Sequence, residues 1–157
     1  MELVKRLQPI LRELFFKNTG FEELRIPGSE LLGMQPDIIG RNGKTLILGE
    51  ITVSGYMGKN KKNFHIGGTR KLAEAFLKLH ILKGRLAEIN IELKSDFECI
   101  QIYFVYPEKS RFMNALGYRE KIFKKDLVRF GIPIDPITEG KISEVYERAN
   151  REIGKRT

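Results

Sequence analysis

The chain has 157 residues, of which 41% are hydrophobic and 31% charged; that size and composition fit one ordinary domain, 1–157, and exclude a disordered or low-complexity protein. Twenty-eight Lys and Arg against 20 Asp and Glu give a net charge of +8, which favours a polyanionic partner. A single cysteine, Cys99, excludes an internal disulfide and a cysteine-cluster zinc site.

The N-terminus MELVKRLQPI lacks the apolar stretch of a signal peptide, and no run is long and apolar enough to span a membrane. The expectation is a soluble, cytoplasmic protein. Residues 2–17 read as a helix, with Leu3, Val4, Leu7, Ile10, Leu11, Leu14 and Phe15 on one stripe. Pro9 either kinks this helix or opens a second segment at its first turn. KNTG ends it at Gly20. FEELRIP, 21–27, reads as a short strand and PGSELLG as a turn.

Two apolar runs, MQPDIIG and TLILGEITV, flank GRNGK, and Asn42-Gly43 is a strong hairpin signal. With the turn near these residues, paired positions sum to about 85 to 87, and Asp37 falls across from roughly residues 48–50. SGYMGKNKKNFHIGG, 54–68, is a Gly-rich basic loop. TRKLAEAFLKLHILKGRL, 69–86, is the clearest helix, with Thr69 a suitable N-cap. ECIQIYFVYP, 98–107, is a strand in which Cys99 reads as a buried small hydrophobe. Residues 108–130 carry a basic helical pattern, 131–137 are extended, and 141–155 form an amphipathic helix. A helix leading from the hairpin to another strand implies a crossover, hence an α/β protein with a mixed central sheet flanked by helices.

Alternation places Glu50 and Thr52 on one face of their strand and Gly49, Ile51 and Val53 on the other. The hairpin brings Asp37 and Glu50 together. They are either two solvated surface acids or a cation site, since paired carboxylates repel unless a cation lies between them. Mg²⁺, or Mn²⁺, takes carboxylate, carbonyl and water oxygens and commonly one or two protein acids. Asp37, Glu50 and the backbone carbonyl of Ile51 would suit it. Lys59, Lys61, Lys62, Arg70 and Lys71 flank this site, and Tyr56 or Phe64 could stack on a base; the alternative is a solubilising loop. A second basic stretch, 119–130, is either a phosphate-contacting surface or a solvated face. Of the two histidines, His80 reads as structural and His65 as exposed in the basic loop.

Gln35-Pro36-Asp37, a hairpin, then Glu50-Ile51-Thr52 resembles the PD-(D/E)XK nuclease superfamily, the restriction-endonuclease-like fold. The order helix, three strands, helix, strand over residues 2–107 is similar too. The resemblance implies a metal-dependent DNA endonuclease, with RNA not excluded, in which Asp37 and Glu50 hold the metal. Thr52 departs from the pattern, because the family usually carries lysine there. Some members move that lysine to the following helix, which makes Lys71 the candidate, with Thr52 able to hydrogen-bond a water. A further acid completes the site in many members; Glu13 on the first helix and Glu30 before the hairpin are the contenders. The same resemblance carries the expectation of a homodimer. The alternative function is a catalytically inactive nuclease-like module that binds nucleic acid or a protein.

Overall fold

A computed structural model describes residues 2–53, 66–108 and 127–156. Helix α1 (Glu2–Thr19) leads into strand β1 (Glu22–Glu23), a 3-10 turn (Pro27–Ser29), and the hairpin β2 (Ile38–Asn42) and β3 (Thr45–Ile51). Helices α2 (Ile66–Lys83) and α3 (Leu86–Leu93) follow, then β4 (Cys99–Pro107), β5 (Val128–Ile132) and α4 (Pro136–Arg156). The five strands lie in the order β1-β2-β3-β4-β5. The β1–β2 and β2–β3 pairs are antiparallel; β3–β4 and β4–β5 are parallel. This is an α/β protein with a mixed five-stranded sheet flanked by helices, as the sequence predicts.

Strand β3 is buried along almost its whole length because it sits between β2 and β4 with helices over both faces. Alternation divides its side chains between two cores. Leu46 and Leu48 join Ile102, Phe104, Leu72, Leu79, Leu82 and Ile89 under α2 and α3. Ile47 and Ile51 join Leu7, Leu11, Phe15 and Ile142 under α1 and α4. Helix α1 runs through the exposed Pro9, which breaks neither its apolar stripe nor its continuity. Phe15 is fully buried and makes edge-on contacts with Phe16, Phe21, Tyr103 and Phe130.

The hairpin register pairs Ile38 with Gly49 and Asn42 with Thr45, so paired positions sum to 87. Gly43 takes the turn with φ +60°. One further step along the strands sets Asp37 beside Glu50. Gly40 is required by a close approach: a Cβ there would lie 2.6 Å from Phe16 Cε1 and 2.8 Å from the Glu22 carbonyl.

Several elements depart from the sequence reading. The helix expected over 69–86 begins at Ile66 and stops at Lys83, and the Gly84-Arg85 turn starts α3. Val128, Arg129 and Phe130, read as helical, form strand β5 beside β4; pairing with an existing sheet edge overrides the local pattern. Residues 109–126 of that stretch lie outside the described residues. Helix α4 starts at Pro136, earlier than expected, because Asp135 caps it: its carboxylate accepts the Thr138 N–H at 2.6 Å. Cys99 is exposed rather than buried, at the first residue of β4 with its Sγ 3.1 Å from Thr45 Oγ1. The alternation puts Ile100 and Ile102 inward and Cys99 and Gln101 outward. Among the described residues no helix is long and apolar enough to cross a membrane.

Candidate metal centre

The mouth of the sheet above β3 is a cleft of about 240 Å³, with Gln8, Asp37, Glu50, Thr52 and Lys78 as polar lining and Leu72, Ala75 and Phe104 as apolar floor. Glu50 continues the Leu46–Leu48 column under α2, with Phe104 opposite on β4. It is only 6% exposed, and with Thr138 forms the pair of buried polar residues among those described. A carboxylate at a core position is costly unless partners offset the burial.

Two partners do so, the Asp37 backbone and Lys78. Asp37 donates its backbone N–H to Glu50 Oε2 at 3.2 Å. Asp37 Oδ2 accepts the backbone N–H of Ile51 at 2.9 Å. The two strands thus hold both acids by reciprocal backbone bonds. Lys78, from α2, forms an ion pair with Glu50 Oε1 and donates to the Gln35 carbonyl at 3.2 Å. Burial, then the neighbouring Asp37 carboxylate, push the Glu50 carboxyl up to about 8 against the opposing pull of Lys78. On the opposite side, Arg12 of α1 donates its Nε–H to the Asp37 carbonyl at 2.8 Å. The Gln35–Asp37 segment is therefore clamped by cations from both helical layers.

This geometry sorts the residues singled out in the sequence. Asp37, Glu50 and Thr52 come together in one cleft. Ile51 contributes backbone only; its side chain is buried on the α1 face. Glu13 is exposed and does not line the cleft. Glu30 is also exposed, and its carboxylate folds over its own turn near Gly28 and Gly33. The residue α1 does place in the cleft is Gln8, a neutral amide. Glu74 shares an outer recess with Glu50, Ala75 and Lys78. Among the described residues no three His, Cys, Asp or Glu cluster closely enough to hold a metal on their own.

Arg70 and Lys71 lie in α2 with their side chains outside the described residues; Tyr56, Lys59, Lys61, Lys62 and His65 lie outside them altogether. Arg129 sits half-buried on β5, while Arg119, Lys121, Lys124 and Lys125 are outside the described residues. His80 is exposed and stacks on Phe76, 5.5 Å between ring centroids.

Lys78 is the site residue the sequence reading missed. It follows Lys71 by seven residues, so the two share a helical face about two turns, or roughly 10 Å, apart. Helix α2 starts far enough beyond β3 that its fourth turn, not its second, comes level with Glu50. The face was readable from the spacing; the axial offset was not, because it depends on how Leu72, Leu79 and Leu82 pack α2 onto the sheet.

The donor set fits a hard divalent ion. It offers two adjacent carboxylates, one of them buried and destabilised by the other, with room in front for water and phosphate oxygens. Asp37 and Glu50 would hold the ion. No family model, no curated protein sequence and no solved structure matches this chain.

Proposed function

We propose that this protein is a divalent-metal-dependent nuclease of the PD-(D/E)XK type that hydrolyses phosphodiester bonds in DNA. The observation that carries the reading is the convergence of Asp37, Glu50 and Lys78 on one open cleft, two acids from a hairpin and a cation from the next helix. The order helix, three strands, two helices, strand in α1, β1–β3, α2–α3 and β4 is close to the helix, three strands, helix, strand of that family and supports it. So does the net charge of +8, which suits a polyanionic substrate.

A bound Mg²⁺ or Mn²⁺ supplies Lewis acidity at a phosphoryl oxygen and lowers the pKa of a coordinated water. The chain's own residues do the rest. Lys78 fills the role left open by Thr52: its ammonium reaches the same carboxylate from α2 and can donate to a phosphate oxygen or an attacking water. Thr52, on the wall beside Glu50, has a hydroxyl suited to orienting that water. Gln8 also lines the cleft, with an amide that can donate to a non-bridging phosphate oxygen. Arg12 keeps Asp37 in place through its backbone and does not enter the cleft.

The test is incubation of the purified protein with single-stranded, duplex, flapped and branched DNA in Mg²⁺ or Mn²⁺. Cleavage is expected in metal only, and Asp37→Ala and Glu50→Ala are each expected to abolish it. Cleavage at the wild-type rate in both variants would overturn the assignment. Metal-independent DNA binding without cleavage would instead make the protein a binding module.

A further inference from the structure

Each Glu50 carboxylate oxygen already has a partner: Oε2 accepts the Asp37 N–H, and Oε1 is paired with the Lys78 ammonium. A divalent ion approaching Oε1 meets the Lys78 ammonium in contact with the same oxygen, and the two cations repel, so one partner must give way. The Asp37 N–H is fixed at the entry to β2. The Lys78 side chain is 29% exposed on a flexible four-carbon stem, and the outer recess beside Glu74 and Ala75 gives it somewhere to go. Lys78 is thus the partner that yields.

We infer that Lys78 is a tethered cation that occupies Glu50 until a divalent ion displaces it, and that the freed ammonium then takes a nucleic-acid phosphate, coupling metal binding to phosphate binding. This rests on the reading of Asp37 and Glu50 as a metal site. The charges support it. With both carboxylates ionised, Asp37, Glu50 and Lys78 leave the cleft at −1, because Gln8 and Thr52 are neutral. A divalent ion turns that to +1. Before the ion arrives, the cleft repels a phosphodiester; afterwards it attracts one, and the released lysine adds a charge-assisted donor. The cleft is also one acid short of a strong site: Gln8 stands where α1 reaches the cleft, and no third acid clusters with the pair among the described residues. The protein alone then binds the ion weakly, and phosphate completes the coordination. By linkage, each ligand raises the affinity of the other by one common factor.

Lys78→Met keeps the aliphatic stem and removes the charge. Mn²⁺ binding without DNA, followed by electron paramagnetic resonance of the free ion, should tighten by about tenfold or more, because the competing cation is gone. Duplex DNA affinity, read by fluorescence anisotropy, should rise about tenfold or more on adding Mn²⁺ to the wild type, and this gain should shrink several-fold in Lys78→Met. Lys78→Arg keeps a cation that grips carboxylate bidentately, so Mn²⁺ binding without DNA should stay at or below the wild-type level; this variant decides the matter if Lys78→Met does not fold by circular dichroism. Mn²⁺ binding that weakens in Lys78→Met, or tightens in Lys78→Arg, would overturn the inference while leaving the metal site standing. Absence of Mn²⁺ binding to the wild type with and without DNA would instead remove the metal site itself.

Discussion

Replacing Glu50 by Gln isolates the energetic cost of the buried carboxylate. Its carboxyl is pushed up from an ordinary 4.5 to about 8 by burial and by Asp37. In the unfolded chain it titrates near 4.5. Below that pH both states hold the proton and there is no penalty. As pH rises, the unfolded chain ionises first, so native stability falls steadily until the folded carboxyl ionises near 8 and is flat above. At about 1.4 kcal/mol per pH unit the ceiling is about 5 kcal/mol. Lys78 loses its partner in the variant, at a cost of about 1 kcal/mol for a partly exposed pair. We therefore expect Glu50→Gln to match or fall slightly below the wild type near pH 4.5 and to exceed it by roughly 2 to 3 kcal/mol at about pH 9. The assay is urea unfolding across that range in a chelating buffer, read as the difference between the two proteins so that other titrating groups cancel. A gap that does not widen with pH, or a variant less stable than wild type at the alkaline end, would refute the account of Glu50. Added Mg²⁺ should then raise the melting temperature of the wild type and not of the variant.

Three further outcomes follow from particular contacts. Arg12→Ala removes the Nε–H bond to the Asp37 carbonyl; it should cost about 1 to 2 kcal/mol in urea unfolding and weaken Mn²⁺ binding by about tenfold or more through the loosened acid. Gly40→Ala drives a methyl into Phe16 and the Glu22 carbonyl, and should lower stability by about 1 to 3 kcal/mol in the same assay. Cys99 is exposed at the start of β4, so a thiol reagent should label it in the native protein at a rate close to that of the urea-unfolded chain.

Much of the site was legible because it is local. Asp37 and Glu50 meet across a tight turn, and strand alternation alone puts both on one face. The register, which the turn signal left open over sums of about 85 to 87, was decided by Gly43 and Lys44 taking the turn, which pairs Ile38 with Gly49. Glu13 and Glu30 were harder to judge from sequence because nothing local says which side of a helix or turn faces a site built elsewhere; both end exposed, and Gln8 takes the place in the cleft. The apolar run around Cys99 masked an outward position, since an edge-of-strand residue near the sheet end can alternate into solvent.

By itself, then, the sequence determined what short-range chemistry fixes: the hairpin, the paired acids, the amphipathic helices and the α/β class. Tertiary structure decided what depends on long-range placement. It made β5 a strand because β4 offered an unpaired edge. It brought Lys78, rather than Lys71, level with Glu50, because the start of α2 relative to β3 is set by packing Leu72, Leu79 and Leu82 onto the sheet and not by helix spacing. And it gave Glu50 its character: an acid in an apolar strand becomes a buried, cation-demanding carboxylate only once α2 closes over that face.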